Sequence, residues 1–162
     1  TPAALDAMAA IIDAVPEAVV GAGTVLSPGQ FHEVAQRGAR FVVTPGTTER
    51  LIDAAVKHNI PLLPGCATAS EVVRLLERGI HYMKFFPAGP AGGIPYLKAL
   101  SSPLPEAKFC PTGGVSMANA RDYLALPNVV CVGGSWLVPQ NAVGEGNWDR
   151  LTELALEASA LK

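Results

Sequence analysis

The chain has 162 residues, of which 49% are hydrophobic and 16% are charged, and its formal net charge is −2. This composition is typical of one globular domain with a large buried core, and it excludes an intrinsically disordered chain. The sequence has no cluster of lysine and arginine that would indicate nucleic-acid binding, and no apolar run reaches the ~18–20 residues that a membrane span needs.

The cysteines and histidines do not have the spacing of a metal site. Cys66, Cys110 and Cys131 are an odd number of cysteines at wide spacing, and each lies in an apolar run. We therefore expect buried thiols in a reducing compartment, which predicts a cytoplasmic location, and not a disulfide framework. The three histidines are equally scattered, so we expect neither a metal site nor a Ser-His-Asp arrangement.

The rest of the pattern is a leading helix followed by a repeated unit. Helical periodicity from Pro2 to Val15 predicts the first helix, which Pro16 ends. After it, short apolar runs that predict strands alternate with segments that predict helices, and a loop is expected at 139–146. The predicted strands are 18–25, 41–44, 61–63, 81–86, 108–110 and 129–132. The predicted helices that follow them are 29–36, 47–58, 70–79, 96–100, 116–125 and 148–160.

Six strand-and-helix units of roughly 20–25 residues predict an α/β fold with a parallel sheet and right-handed crossovers. Two architectures fit: an open doubly wound sheet, or a (β/α)8 barrel without its beginning. In both, active sites form at the carboxyl ends of the strands. Gly21-Ala22-Gly23 lacks the third glycine of a dinucleotide-binding turn, so we expect no dinucleotide cofactor.

Lys84 lies in the middle of the apolar run 81–88, which Pro87 closes. Strand alternation places Tyr82, Lys84 and Phe86 on one face and the residues between them on the other. If both faces are buried, desolvation lowers the pKa of the Lys84 ammonium and gives a nucleophile suited to Schiff-base chemistry. The alternative is a lysine at the end of a strand whose ammonium reaches water.

Two glycine-rich turns predict a phosphate site. Gly113-Gly114 and Gly133-Gly134-Ser135 follow the last two predicted strands. Glycines let backbone N–H groups approach an anion closely, although tight turns alone would also explain them. A nucleophilic lysine beside a phosphate site predicts a phosphorylated keto or aldehyde substrate. The iminium would stabilise the carbanion of a C–C cleavage, which is the chemistry of an aldolase that uses no metal.

Four motifs closely resemble the family of 2-keto-3-deoxy-6-phosphogluconate aldolase, which also includes 4-hydroxy-2-oxoglutarate aldolase activity. They occur in order along nearly the whole chain: residues 21–26 (GAGTVL), 84–88 (KFFPA), 109–114 (FCPTGG) and 133–136 (GGSW). The resemblance implies a (β/α)8 barrel formed by 1–162 as a single domain, and a homotrimer. It also implies cleavage to pyruvate and glyceraldehyde 3-phosphate in the Entner–Doudoroff route, without a cofactor.

The resemblance also assigns roles to individual residues. It makes Lys84 the Schiff-base lysine, with Phe86 packed beside it. The other expected substrate contacts are Thr24 and Thr112, with Pro45 in the wall of the site. The expected phosphate contacts are Gly113, Gly114, Gly133, Gly134 and Ser135.

The chain departs from the family pattern in two places. The general acid/base glutamate and the carboxylate-binding arginine of the family would align just upstream of Thr1, so we expect a barrel that lacks its first two strands. Gly89 stands where relatives commonly have glutamate, which affects the expected substrate preference. The alternatives are a 4-hydroxy-2-oxoglutarate or 2-keto-3-deoxy-6-phosphogalactonate aldolase and, in another class, a non-catalytic phosphoester-binding barrel fragment.

Overall fold

The computed structural model describes residues 1–161. The chain forms two compact units, and the second begins at Ala67. Each unit combines parallel strands with helices, which confirms the predicted α/β class. Within these residues, every helix is too short or too polar to cross a membrane.

The first unit contains a three-stranded parallel sheet in the order β1-β2-β3. Its elements are α1 (Ala4–Ala14), β1 (Gly21–Ala22), α2 (Pro28–Gln36), β2 (Phe41–Val43), α3 (Glu49–His58), β3 (Leu62–Leu63) and β4 (Gly65–Cys66). Val42 of the central strand is fully buried and pairs with Ala22 and Leu62. Apolar side chains of the three helices pack against the sheet, among them Met8, Phe31, Val34, Leu51 and Ala54.

The second unit is organised around the parallel pair β5 (Tyr82–Phe85) and β6 (Lys108–Pro111). Its helices are α4 (Ala69–Glu77), α5 (Gly93–Leu100), α6 (Ala120–Leu124), α7 (Gln140–Gly144) and α8 (Trp148–Ser159), with a 3₁₀ helix at Ser135–Leu137. The Phe85 ring lies 5.7 Å from the Tyr96 ring in a stacked arrangement and 6.2 Å from the Phe109 ring, edge to face. These rings form the centre of the core of this unit.

Side-chain hydrogen bonds to backbone N–H groups define the residues at which α2 and α4 begin. The Ser27 side chain accepts a hydrogen bond from the backbone N–H of Gln30 and caps α2, which begins one residue before the predicted start at residue 29. Helix α4 begins one residue before the predicted Ser70, because Thr68 and Glu71 form a capping box at its N-terminus. The Glu71 carboxylate accepts from the N–H groups of Ala67 and Thr68 at 2.8 Å.

Two predictions about local structure are wrong, and one strand was not predicted. The predicted strand 61–63 corresponds to β3, which ends at Leu63, but Gly65–Cys66 form the further short strand β4. The predicted strand 129–132 is reduced to isolated bridges, because its register with β6 changes along its length. The predicted loop 139–146 contains α7, whose Ala142 is buried. The glycines near its end are compatible with a short helix that stops at Gly144.

Thr44, which follows β2, is a fully buried polar residue at the carboxyl end of the first sheet. Its hydroxyl accepts a hydrogen bond from the buried N–H of Gly65 at 3.1 Å and lies 3.0 Å from the Thr47 hydroxyl. Thr47 in turn donates to the Gly65 carbonyl at 3.2 Å. This network fixes the turn after β2 against the backbone of β4.

Replacing Thr44 with valine tests this network. We expect the free energy of unfolding to fall by about 1–3 kcal/mol, because the buried N–H of Gly65 loses its acceptor while the side-chain shape is kept. Urea unfolding measures the change. Thr48→Val is the matched control, since Thr48 is exposed and its side chain caps nothing, and it should lie within about 0.5 kcal/mol of the wild type. Equal losses in the two variants would contradict the role of Thr44.

Candidate functional site

Lys84 is held on β5 by the burial of its neighbours in the strand. Met83 and Phe85 are both 0% exposed and point into the core, so Lys84 lies on the opposite face, as strand alternation predicts. That face is only partly covered: Tyr82 is 61% exposed, and Lys84 is intermediate. The desolvation of Lys84 expected from the sequence requires both faces of this strand to be buried. Only the face that carries Met83 and Phe85 is fully buried.

The surroundings of Lys84 favour its neutral amine. Burial lowers the pKa of Lys84, although interaction with the Cys110 thiol partly opposes this. Cys110 is its register partner on β6, so the two side chains share a face, which we call the Lys84 face. The Lys84 Nζ also lies 4.6 Å from the centre of the Phe86 ring. A lysine held in this way can act as a nucleophile near neutral pH.

Thr112 lies at the end of β6, on the Lys84 face. Its hydroxyl donates a hydrogen bond to the Cys110 carbonyl at 3.3 Å and lies 3.9 Å from the Cys110 sulfur. Its backbone connects the turns after both strands, because its N–H donates to the Phe85 carbonyl and its own carbonyl accepts from Ala88. Thr112 therefore ends β6 within the polar group that contains Lys84 and Cys110.

Gly113 and Gly114 form the turn after β6 in a conformation that favours glycine. Their φ angles are +89° and +83°, in the left-handed region. A β-carbon at Gly113 would lie 3.2 Å from the Phe86 ring. The Asn119 side chain stabilises the turn by donating to the Gly114 carbonyl and accepting from the N–H of Ser116. Within residues 1–161, the N–H of Gly114 has no protein acceptor, so it is available to an anion.

The second glycine turn lies beside the first. Gly133 pairs with Thr112, and a β-carbon there would lie 2.7 Å from the Thr112 hydroxyl. A β-carbon at Gly134 would overlap the Trp136 ring. Ser135 is exposed and begins the 3₁₀ helix. The structure thus brings both glycine turns next to the strand that carries Thr112, and close backbone approach explains why glycine is needed.

Gly89, the position of the second departure, lies against the same turn. Its N–H donates to the Gly113 carbonyl at 2.8 Å. A β-carbon at Gly89 would meet the Gly113 carbonyl and Gly114 at 3.6 Å, an ordinary van der Waals contact. The turn therefore has room for a side chain at this position, so steric contacts do not require a glycine at residue 89.

Thr24 and Pro45, the remaining predicted site residues, belong to the first unit. Thr24 is exposed and follows β1, and Pro45 is half-buried and follows β2. Both therefore lie at the carboxyl ends of parallel strands, as predicted. Pro45 comes directly after Thr44, whose hydrogen bonds fix this turn.

Sequence reasoning missed several residues that the structure makes significant within each unit. Thr44 and Asn119 were not selected, because a single threonine or asparagine after a strand carries no distinctive pattern. Cys110 and Cys131 were both predicted as buried, but Cys131 is exposed, because the segment that carries it forms only isolated bridges. The FCPTGG motif already contained Cys110, yet only the register with Lys84 makes its position significant.

Comparison with known proteins gives a consistent result. The family model for KDPG and KHG aldolase matches residues 1–154. The KHG/KDPG aldolase of Escherichia coli K12 is 52% identical over 158 residues, which is 98% of this chain and 74% of that protein. A 2-dehydro-3-deoxy-phosphogluconate aldolase of Dickeya dadantii is 50% identical over 160 residues, 99% of this chain and 75% of its own length.

Two solved structures are similar to the chain. A KDPG aldolase of Legionella pneumophila, with pyruvate captured as a covalent carbinolamine intermediate, has a TM-score of 0.95 and 51% identity, over 98% of this chain and 77% of that one. The 2-keto-3-deoxy-6-phosphogluconate aldolase of Zymomonas mobilis ZM4 with 3-phosphoglycerate has a TM-score of 0.93 and 45% identity. This match covers 100% of the present chain and 76% of the other.

The pH dependence of lysine acylation tests the environment of Lys84. Because the pKa of Lys84 is lowered, its neutral, reactive form appears at lower pH than that of a solvated lysine. We expect the pH midpoint of Lys84 labelling to lie below that of Lys98 on α5 in the same sample. Peptide mass spectrometry after brief acylation at a series of pH values measures both. Coincident midpoints would contradict the proposed effect of burial.

Proposed function

Since the chain belongs to the KDPG and KHG aldolase family, we propose that it is a class I aldolase. It cleaves 2-keto-3-deoxy-6-phosphogluconate to pyruvate and glyceraldehyde 3-phosphate. The observation that carries this proposal is the position of Lys84, an amine with a lowered pKa that lies beside the Phe86 ring and opposite Cys110 of β6. The structure of a relative with pyruvate captured as a covalent carbinolamine supports a lysine-dependent route.

The reaction begins at the Lys84 amine. Its neutral form attacks the C2 carbonyl of the substrate to give a carbinolamine, which loses water to form an iminium. The iminium withdraws electrons as the C3–C4 bond breaks, and the C4 hydroxyl passes its proton to the water released when the iminium formed, so that glyceraldehyde 3-phosphate results. The electron pair remains on the lysine-bound fragment as an enamine. Protonation at C3 and hydrolysis then release pyruvate and regenerate the amine.

Phe86 has a direct role in this scheme. Its ring faces Lys84 at 4.6 Å, where a cation is attracted by the negative face of an aromatic ring. The iminium is a cation at the same position, so the ring stabilises it by an expected ~0.5–2 kcal/mol. Unlike a carboxylate, the ring does this without holding the free amine strongly in its protonated form.

We assign the phosphate of the substrate to the two glycine turns. The N–H groups of Gly114 and Gly134 have no protein acceptor among the described residues, and the exposed Ser135 hydroxyl can donate as well. Gly113 and Gly133 allow the backbone to come close to Phe86 and Thr112. A relative solved with 3-phosphoglycerate supports a phosphate-binding site in this family.

The pyruvate part of the substrate is assigned to Thr112 and, by resemblance, to Thr24 and Pro45. Thr112 comes two residues after Cys110 of β6 and shares the Lys84 face, which supports a contact between its hydroxyl and a group bound to Lys84. The roles of Thr24 and Pro45 stay predictions of the resemblance, since these residues belong to the first unit.

Four broader features are also proposals supported by the resemblance. They are a (β/α)8 barrel, a single domain over 1–162, a homotrimer and a cytoplasmic location. Parallel strands that alternate with helices in both units are compatible with a barrel. Analytical ultracentrifugation tests the homotrimer.

Borohydride trapping with pyruvate tests the role of Lys84. We expect a reduced pyruvyl adduct on Lys84 in the wild type, no adduct above background in Lys84→Ala, and aldol cleavage reduced at least about 10³-fold in that variant. Peptide mass spectrometry locates the adduct, and a coupled assay measures cleavage. Lys98→Ala is the matched control and should keep both properties.

Circular dichroism and thermal unfolding establish that Lys84→Ala is folded. A folded Lys84→Ala variant with a normal cleavage rate would contradict the assignment of Lys84 as the Schiff-base lysine. A folded wild type that forms no adduct with pyruvate would favour the non-catalytic phosphoester-binding alternative.

Ser135→Ala tests the phosphate site by substrate comparison. We expect kcat/KM for 2-keto-3-deoxy-6-phosphogluconate to fall about 10- to 150-fold, because a hydrogen bond to a charged group contributes roughly 1.5–3 kcal/mol. For 4-hydroxy-2-oxoglutarate, which has no phosphate, kcat/KM should change less than twofold. Equal losses with both substrates would show that Ser135 does not contact the phosphate.

A further inference from the structure

Cys110 and Cys131 form a pair of thiols with very different exposure. Cys110 is 9% exposed, whereas Cys131 is exposed, and both are free thiols. Each side chain shifts the pKa of the other, in opposite directions. The proposed reaction at Lys84 uses neither sulfur.

An irregular strand register explains why the two thiols meet. Phe109 pairs with Val129, and Thr112 pairs with Gly133. Between these two bridges β6 has two residues, 110 and 111, whereas the facing segment has three, 130 to 132. The facing segment therefore contains one extra residue, as in a β-bulge. Without the extra residue, strict alternation would place Cys110 opposite Val130 and turn Cys131 to the other face. The bulge instead brings Cys131 onto the Lys84 face.

The interaction between the two side chains makes the exposed sulfur the more reactive one. Interaction with Cys110 lowers the pKa of Cys131 to about 7, although partial burial acts in the opposite direction. The same interaction and burial raise the pKa of Cys110. Near neutral pH the pair is therefore an exposed thiolate next to a buried thiol, the combination expected of a cysteine that reacts with oxidants.

From this arrangement we propose that Cys131 and Cys110 are a hydroperoxide-reactive pair that closes to an intramolecular disulfide beside Lys84. Cys131 is the attacking sulfur, because it is the one in contact with solvent. Cys110 is the resolving sulfur, because it lies on the adjacent segment and on the same face. Neighbouring strands lie ~4.7–4.9 Å apart, and a disulfide needs Cα atoms ~4.4–6.8 Å apart, so closure requires little backbone movement.

The chemistry balances with a hydroperoxide as the oxidant. The Cys131 thiolate attacks one peroxide oxygen, the O–O bond breaks, and the leaving hydroxide or alkoxide is protonated to water or an alcohol. This gives a sulfenic acid on Cys131. Cys110 then attacks that sulfur, and the disulfide forms as a second molecule of water leaves with the Cys110 proton. The two sulfurs lose two electrons in total, and the peroxide gains them.

Hydrogen peroxide treatment of the purified chain, followed by tryptic peptide mapping, tests the proposal. The proposed disulfide joins the peptide 109–121 to the peptide 122–150, whereas Cys66 lies in the peptide 58–74. We expect the crosslinked pair at low peroxide concentration, with a monomeric mass smaller by two hydrogens. A thiol reductant should restore the original mass. Cys66, which is buried, should stay reduced under the same conditions.

Serine variants separate the two roles. In Cys110→Ser we expect the Cys131 sulfenic acid to persist and to be captured by dimedone, since the resolving thiol is missing. In Cys131→Ser we expect oxidation of Cys110 to slow by about tenfold or more, because the remaining thiol is buried. Cys66→Ser is the matched control and should form the same disulfide at the wild-type rate.

The outcomes distinguish the proposal from ordinary thiol oxidation without any assay of aldolase activity. A disulfide that forms between two chains, or first involves Cys66, would overturn the proposal, as would equal oxidation of Cys110 in the wild type and Cys131→Ser. Thermal unfolding of each variant before treatment excludes local unfolding as the source of reactivity. The wild-type crosslink alone decides the question if a variant fails to fold.

Discussion

The burial of Met83, Phe85 and Phe109 is the constraint on which the candidate site depends. All three side chains are 0% exposed, and burial of each contributes about 1.5–3 kcal/mol to stability. Because side chains alternate along a strand, fixing these three inside the core fixes Lys84 and Cys110 on the opposite face. A slip of one residue in either strand would bury the lysine and expose the core residues, so the register is strongly determined.

The same strand pair sets the character of the Lys84 face. Parallel pairing places Cys110 directly beside Lys84, and the Phe86 ring contacts the amine from the following residue. The amine thus lies among groups that do not hold it as an ammonium by strong ion pairing. Only the thiolate form of Cys110 would raise the pKa of Lys84 by its charge, and this form is scarce near neutral pH because burial and interaction with Cys131 raise the pKa of Cys110.

In each unit, a threonine at the end of a strand fixes the turn that follows. Thr44 after β2 binds the backbone of Gly65, and Thr112 at the end of β6 donates to the Cys110 carbonyl. In the first unit the threonine is fully buried and contributes mainly to stability. In the second unit it remains partly accessible beside Lys84, so it is available to a ligand. Two threonines at equivalent positions after strands thus differ in role because they differ in burial.

The sequence by itself determined the α/β class, the Lys84 strand and the two glycine turns, because these depend on local patterns: alternation, capping residues and glycines at close contacts. Only the tertiary structure decided that Cys110 is the register partner of Lys84 and that Cys131 is exposed. It also decided that one extra residue between Val129 and Gly133 turns Cys131 toward the Lys84 face. Strand register and bulges result from pairing between residues far apart in the chain, and a single sequence records no such distances.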